Sequence, residues 1–267
     1  MLWDYLRRGV KAGLVAGLVF GLFVAVVANP LVAFADETNH AAGESDHAHE
    51  AADGHGVEAG SHAGDAGGHH DSAVSAAVTK AVSVVSAGLW ALLLGAVVFG
   101  AGFYLLEPAI PGTGTTKSYV LGLAGFVTVS GAPWLVLPPV APGAEQSLAV
   151  GTRLPLYAGM MVAGAACCLL AGSVYRRLTP STGRVGAALA ALIPFGVLGV
   201  LALLAPANAV EGALSPPLRS GVTGLVVFGQ LLLWLLLAAT HAQFTAADRP
   251  RRDVEASSTH RSPVAAD

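Results

Sequence analysis

The chain has 267 residues, of which 54% are apolar and 12% charged, with a net charge of −3 and a mean hydropathy of +0.64. Soluble domains carry about a quarter charged residues, so this composition excludes an ordinary soluble fold and predicts one membrane domain. The chain has no basic patch, which argues against a nucleic-acid partner.

Residues 1–35 are predicted to form a basic N-terminus and a first membrane helix. Arg7 and Arg8 precede an apolar run of about 20 residues, from about Ala12 to Phe34, which is long enough to cross a bilayer core. The Ala33-Phe34-Ala35 triplet also resembles the cleavage site of a signal peptide, but the apolar run is longer than a usual signal core. We therefore favour a helix that is retained.

Three glycines, Gly13, Gly17 and Gly21, recur at intervals of four residues in this first span. They share one helix face, and such a stripe of small residues lets a second helix approach closely in lipid. We expect the span to end at Asn29-Pro30, because proline lacks a backbone N–H and disfavours helix in the residue before it.

Residues 36–80 are predicted to form a hydrophilic loop of unusual composition. The stretch from Asp36 to Ser72 holds seven of the nine histidines of the chain and nine carboxylates, with no lysine or arginine. The candidate metal ligands in this loop are His40, His47, His49, His55, His62, His69, His70, Asp46, Asp65 and Asp71.

The chemistry of the loop favours recruitment of divalent metal ions. Imidazole and carboxylate groups together suit Co²⁺, Ni²⁺ and Zn²⁺. His47 with His49, and His69 with His70, can each place two nitrogens near one ion. Seven glycines argue against a fixed helical face, so we expect weak binding at several flexible sites. The alternative is a low-complexity linker whose histidines hold no ligand.

Five further apolar segments follow the loop, at about 82–106, 119–137, 154–175, 185–205 and 221–241. The fold class predicted from them is an all-α integral membrane protein, with a bundle of about six transmembrane helices. The count is five if the first helix is removed or miscounted. Residues 81–244 form the membrane bundle after the loop, and residues 245–267 form a disordered polar tail.

The positions of lysine and arginine predict the orientation of the bundle. With six spans and an inner N-terminus, the inner segments hold eleven basic residues and the outer segments hold three. Cytoplasmic segments of membrane proteins carry such an excess. We therefore expect both termini in the cytoplasm and the histidine-rich loop on the outer side of the cell membrane.

Few polar residues lie in or beside the predicted spans, and these are candidates for a transport pathway. Pro133 belongs to a Gly131–Pro133 interruption of the third span, which we interpret as a pore-lining break. The alternatives are an ordinary kink at the proline and interfacial anchoring by the ionisable residues. The candidate pathway residues are Asn29, Glu107, Pro133, Arg153 and His241.

Motifs of catalysis and of nucleotide binding do not occur in the sequence. It contains neither the phosphate-binding G-x-x-x-x-G-K-[ST] motif nor the zinc-binding H-E-x-x-H motif, so we expect neither an enzyme nor a bound nucleotide. Copper(I) is disfavoured as the metal, because the loop offers none of the soft sulfur ligands that this ion prefers.

Several short motifs occur in a characteristic order along the chain. The first span ends in Asn29-Pro30-Leu31 before a histidine-containing loop, and the second ends in Leu106-Glu107-Pro108. The Pro138–Gly143 segment then precedes Arg153, and the last span carries Gln230 and Trp234. In these features, over roughly residues 5–244, the chain resembles the CbtA family of predicted cobalt-transporter subunits.

The resemblance implies a multi-span membrane protein that takes up cobalt, often for cobalamin synthesis. It also implies a small histidine-containing membrane partner called CbtB. The family is often described with five spans, whereas we count six.

Three functions stay open on the sequence. In the first, the protein is a permease component whose loop concentrates Co²⁺ or Ni²⁺ and whose bundle passes the ion inward. In the second, it is a membrane-anchored metal-binding or sensor protein without permeation. In the third, it is a structural membrane scaffold whose acidic loop only solvates the surface. Lipid surrounds the bundle in each case, and assembly into oligomers is left open.

Overall fold

A computed structural model describes residues 2–35, 37–38, 76–140, 144–212 and 214–248. Most of the predicted histidine-rich loop and the tail after Asp248 lie outside these ranges. Within them the chain is helical apart from short connections and one two-residue antiparallel pair, Glu145–Gln146 with Val210–Glu211. The predicted all-helical membrane class is confirmed.

The helices are numbered α1 to α6 in chain order, and three of them contain π-helical turns. Helix α1 is Leu2–Ala35, α4 is Val150–Ala191, α5 is Ile193–Leu204 and α6 is Pro216–Ala247. Helix α2 runs through Ala76–Leu94, Gly95–Gly102 and Phe103–Leu106. Helix α3 runs through Thr116–Phe126, Val127–Gly131 and Ala132–Trp134.

Among the described residues, four helices are long and apolar enough to cross a membrane: Leu2–Ala35, Lys80–Leu106, Val150–Leu204 and Pro216–Ala247. The third has 55 residues, and a straight helix of that length would extend about 80 Å, far beyond a bilayer core. It bends at Gly183, where φ is +72°. Its two arms pack together, with the Cys167 thiol 3.2 Å from the Pro194 carbonyl oxygen. Together with α3 this gives six helical passages, and the number of membrane crossings stays a prediction.

The expectation that the first span ends at Asn29-Pro30 is wrong. Helix α1 continues to Ala35 because the chain enters a π-helical turn at Val24–Ala28, which Asn29 separates from the proline. In this turn the Asn29 N–H donates to the carbonyl of Val24, five residues earlier. The wider turn accommodates the proline without breaking the helix.

The predicted interruption of the third span is also wrong. Helix α3 continues through Gly131–Pro133, with the Ala132 N–H donating to the Val127 carbonyl across a π-helical turn. Pro133 is fully buried and lies one residue before the end of the helix. The role of Pro133 in a transport pathway stays a prediction. The broken backbone on which that prediction rested is not present in helix α3.

The close helix approach expected from the glycine stripe is confirmed, and the partner is α2. A methyl group on Gly13 would lie 2.8 Å from the Ala91 carbonyl oxygen, and one on Gly17 would lie 2.9 Å from that of Gly88. Gly21 is less crowded, since its methyl group would meet Val84 at an ordinary 3.5 Å. The two backbones are therefore in direct contact over most of the stripe.

The six helical passages run alternately in opposite directions, so the bundle has two ends. At the end that we call the terminal face, the start of α1 meets the α2–α3 connection and the end of α6. At the opposite end, the loop face, Ala35 packs on Leu214 and Val222 at the start of α6. The two-stranded pair also lies at the loop face, because it joins the α3–α4 and α5–α6 connections.

Helices α1, α2, α3 and α6 share the main core, whose centre is Phe99, Leu121, Leu233 and Trp234. A smaller core joins α3, α4 and α5 around Met160 and Leu198. Helix α1 contributes Ala16 and Phe20 to the main core, and removing it would expose the residues beneath. This packing supports a retained first helix, and its retention stays a prediction.

Replacing Gly13 with leucine should destabilise the bundle, because the new side chain would collide with the α2 backbone. Overpacking of this kind costs about 1–3 kcal/mol. We expect a lower melting temperature for Gly13→Leu in detergent. The matched control is Gly159→Leu, since a side chain at that position meets no described atom within 4 Å. Equal melting temperatures for the two variants would contradict the contact between α1 and α2.

Candidate functional site

The ten loop residues predicted to bind metal lie outside the described part of the chain, so their role stays a prediction. Within the described ranges, no group of three or more His, Cys, Asp or Glu side chains could hold a metal ion. The densest group of charged side chains described here lies instead at the terminal face.

A polar cavity of about 290 Å³ opens at the terminal face among α1, α2, α3 and α6. Two cations and two carboxylates line it, so its charge is balanced: Arg8, Lys117, Glu107 and Asp248. The hydroxyls of Tyr5 and Thr245, the Phe103 ring and the turn at 112–114 complete the wall. The cavity therefore combines oxygen ligands with protein cations that neutralise them.

Glu107 connects three helices in this cavity. Its carboxylate accepts a 2.5 Å hydrogen bond from the Tyr5 hydroxyl of α1. Its backbone carbonyl accepts a 2.9 Å hydrogen bond from the Lys117 ammonium of α3, which also lies 3.8 Å from the carboxylate. The Glu107 side chain stays 37% exposed, so a soluble ion can reach it.

Arg8 is the most buried charged residue of the cavity, with 6% of its surface exposed. Its Nε donates a 2.5 Å hydrogen bond to the Asp248 carboxylate at the end of α6, and its guanidinium lies 5.4 Å from the centre of the Tyr5 ring. A buried cation is costly unless a counter-charge compensates it. The pair with Asp248 therefore fixes the end of α6 to the start of α1.

The local sequence explains why these groups meet. Pro108 cannot continue helix α2, so the chain turns just after Glu107. Gly112 and Gly114 then adopt φ angles of +97° and +58°, which residues with a side chain rarely adopt. The turn brings Lys117 into the first turn of α3, opposite Glu107.

His241 lies deeper, next to the cavity, and is fully buried. Its Nδ1 is 2.9 Å from the Ser118 hydroxyl, and its ring packs on Phe103 and Phe99 at centroid distances of 4.7 and 5.4 Å. Its Nε2 has no hydrogen-bond partner among the described residues. Helix α6 extends six residues beyond His241, to Ala247, and both readings of this residue, pathway residue and interfacial anchor, stay predictions.

The other predicted pathway residues lie toward the loop face. The Asn29 side chain accepts a 3.0 Å hydrogen bond from Ser83, which joins α1 to α2. Arg153 is in the first turn of α4, and its buried Nε has no partner among the described residues. The structure thus brings Glu107 and His241 to one end of the bundle and leaves Asn29, Pro133 and Arg153 near the other.

Two polar contacts cross the middle of the bundle from α3. Ser130 donates a 3.3 Å hydrogen bond to Gln230 of α6, and Tyr157 of α4 donates a 2.6 Å hydrogen bond to the Val129 carbonyl. Between Ser130 and the His241–Ser118 pair, the Trp234 ring packs against Gly125 and beside Phe99. Aromatic side chains therefore separate the polar groups of the two ends.

Sequence reasoning missed Tyr5, Ser118 and Asp248, and it used Arg8 and Lys117 only to predict orientation. The only sign of these residues in the sequence was their position at the ends of predicted spans. Charged residues are common there, so the position did not single them out. The pairings of Tyr5, Arg8 and Ser118 were not visible, because their partners are 102 to 240 residues away in the chain, whereas Lys117 lies only 10 residues from Glu107.

Breaking the Arg8–Asp248 pair should destabilise the bundle. Asp248→Asn should lower the free energy of unfolding by about 1–3 kcal/mol, below the full cost of breaking a buried pair, because Asp248 is 32% exposed. The double variant Arg8→Met/Asp248→Asn should lose less than the sum of the single variants, by a coupling of about 0.5–3 kcal/mol. Unfolding in detergent measures the stability of the two single variants and the double variant. Strictly additive losses of unfolding free energy would contradict the pairing.

Comparison with known families gives the identity of the chain. A family model described as "Probable cobalt transporter subunit (CbtA)" matches residues 2–246, which include the cavity residues Glu107 and Lys117, His241 and nearly all of every helix. No curated protein and no solved structure matches the chain. The match covers nearly the whole chain and confirms the resemblance seen in its motifs. The protein belongs to the CbtA family.

Proposed function

We propose that this protein is the membrane component of an uptake system for a divalent transition metal, with Co²⁺ as the favoured substrate and Ni²⁺ or Zn²⁺ as alternatives. The observation that carries the proposal is the family match over residues 2–246, because that family is described as a probable cobalt transporter subunit. The role is transport, without catalysis and without a nucleotide.

The histidine-rich loop acts in this proposal as the capture device. The loop carries seven imidazoles. A free imidazole has a pKa of about 6.5, so near neutral pH it is mostly uncharged and can bind a metal ion. Weak binding at several sites raises the metal concentration beside the bundle without retaining the ion. Capture should weaken as the outer pH falls, because protonated imidazole cannot bind metal.

The proposed orientation places the terminal face in the cytoplasm and the loop face outside. It rests on the excess of basic residues predicted inside, of which Arg8, Lys117 and Arg176 lie at the terminal face. In this orientation an imported ion would pass Asn29, Pro133 and Arg153 before it reached His241 and Glu107.

A subunit requires a partner, and we propose a small membrane protein of the CbtB type. A second candidate function is a membrane-anchored metal-binding or sensor protein that conducts nothing. The observation that favours it is the closed interior, in which Phe99 and Trp234 fill the main core. A structural scaffold is the third candidate, and lack of metal binding by the loop would favour it.

Whole-cell uptake of radioactive cobalt tests the proposal. Cells that express the chain with its partner should show saturable cobalt uptake, and excess nickel should compete less well than excess unlabelled cobalt. Cells that express the partner alone are the control. No uptake by any combination, with metal still bound by the protein, would contradict transport and favour the anchored binding protein.

Replacing all seven loop histidines with alanine should raise the external cobalt concentration needed for half-maximal uptake severalfold. The maximal rate should change little, because the loop recruits the ion and the bundle moves it. A matched control replaces Ser45, Ser61 and Ser72 with alanine in the same loop. An unchanged concentration dependence in the histidine variant would contradict the capture role.

Ser61→Cys tests the orientation, in a background where Cys167 and Cys168 are replaced by alanine. A thiol reagent that cannot cross the membrane should label this cysteine in intact cells, because the proposal places the loop outside. Thr113→Cys at the terminal face is the control and should react only after the cells are opened. The reverse pattern would contradict the orientation.

A further inference from the structure

The unpartnered nitrogen of His241 is the starting point. Buried polar atoms in proteins nearly always have a hydrogen-bond partner, and each exception requires an explanation. His241 is fully buried, yet its Nε2 has no partner among the described residues while its Nδ1 is bonded to Ser118. One nitrogen of the ring is thus held by Ser118, and the other is buried without a hydrogen-bond partner among the described residues.

This pattern is the one that metal-binding histidines show. A histidine that binds a metal through one nitrogen usually donates the N–H of its other nitrogen to a fixed acceptor, which sets the tautomer and the ring orientation. The 2.9 Å contact between Nδ1 and the Ser118 oxygen fits either donor, and in the tautomer whose Nδ1–H donates to Ser118, Nε2 carries the lone pair. A neutral imidazole nitrogen is a good ligand for Co²⁺, Ni²⁺ and Zn²⁺.

The position of the ring connects it to the cavity of the terminal face. Phe103 packs on the ring at 4.7 Å and also lines the cavity. Thr245, another lining residue, donates a 2.8 Å hydrogen bond to the His241 backbone carbonyl. Glu107, whose side chain is 37% exposed, offers the next oxygen ligand toward the solvent.

We propose that His241 Nε2 is an inner ligand for the transported metal ion, and that the ion passes from it to the Glu107 carboxylate in the cavity. This inference rests on the proposed function. The transfer is a ligand exchange without a change of oxidation state, in which an oxygen ligand replaces the nitrogen. Lys117 and Tyr5 hold Glu107 in the structure, so they must move aside when the ion arrives.

Purified full-length protein with all seven loop histidines replaced by alanine tests the ligand directly. Titration with Co²⁺ alone should produce visible d–d absorption bands of a protein-bound ion. His241→Asn should abolish them, because the Asn amide can keep the hydrogen bond to Ser118 but offers no nitrogen at the Nε2 position. Bands that persist in His241→Asn would overturn the assignment.

Two further variants separate a ligand from a structural role. Ser118→Ala keeps the ring and removes its support, so the Co²⁺ concentration at half-saturation should rise about tenfold or more. An unchanged midpoint would overturn the proposal even if His241→Asn failed to fold. Thr240→Val, next to His241 in sequence and of nearly equal volume, is the matched control and should leave the bands unchanged.

Uptake in whole cells distinguishes failure of this proposal from failure of the proposed function. In the otherwise native chain, His241→Asn should lower the maximal uptake rate and leave the half-saturating concentration nearly unchanged, since the loop sets the latter. If the native chain takes up cobalt and His241→Asn does so at an equal maximal rate, His241 is not an inner ligand, but cobalt transport is still supported. Absence of uptake by the native chain would instead refute the proposed function.

Discussion

Gly9 and Gly95 bring the backbones of α1 and α2 into direct contact, because neither residue has a side chain that would separate the helices. The contact continues at Gly13 and Gly17 and fixes the register of the two helices. Tyr5 then lies beside Glu107, and Arg8 points into the bundle toward Asp248. The geometry of the terminal face therefore depends on the backbone contact of α1 with α2 at these glycines.

Lipid imposes the second constraint, since a polar group in the membrane must find a partner inside the protein. Most polar groups in the bundle meet this demand, as in the Ser130–Gln230 and Ser118–His241 pairs of α3 with α6. The Phe99 and Trp234 rings lie between those pairs. An ion that crosses the main core must displace this aromatic contact, so the arrangement described is a closed one.

The long apolar segments predicted the helices well, because a helix in lipid needs about 20 apolar residues whatever its neighbours are. The helix boundaries predicted at Pro30 and Pro133 were wrong. Sequence rules treat a proline as a helix end, whereas here a π-helical turn before each proline lets the helix continue through it. The pairing of Arg8 with Asp248 could not be predicted, because it depends on how the first and last helices pack. His241 was found as a polar residue, but its burial and its Ser118 support came only from the structure.

If the bundle itself moves the metal ion, as proposed, Co²⁺ should cross a sealed membrane that contains the protein. The purified chain, with the CbtB-type partner proposed for it, would be reconstituted in liposomes that contain a dye quenched by Co²⁺. Metal movement through the bundle predicts that added external Co²⁺ quenches the dye, more slowly with His241→Asn and not at all in empty liposomes. Quenching no faster than in empty liposomes, with the reconstituted protein folded and able to bind Co²⁺, would contradict it.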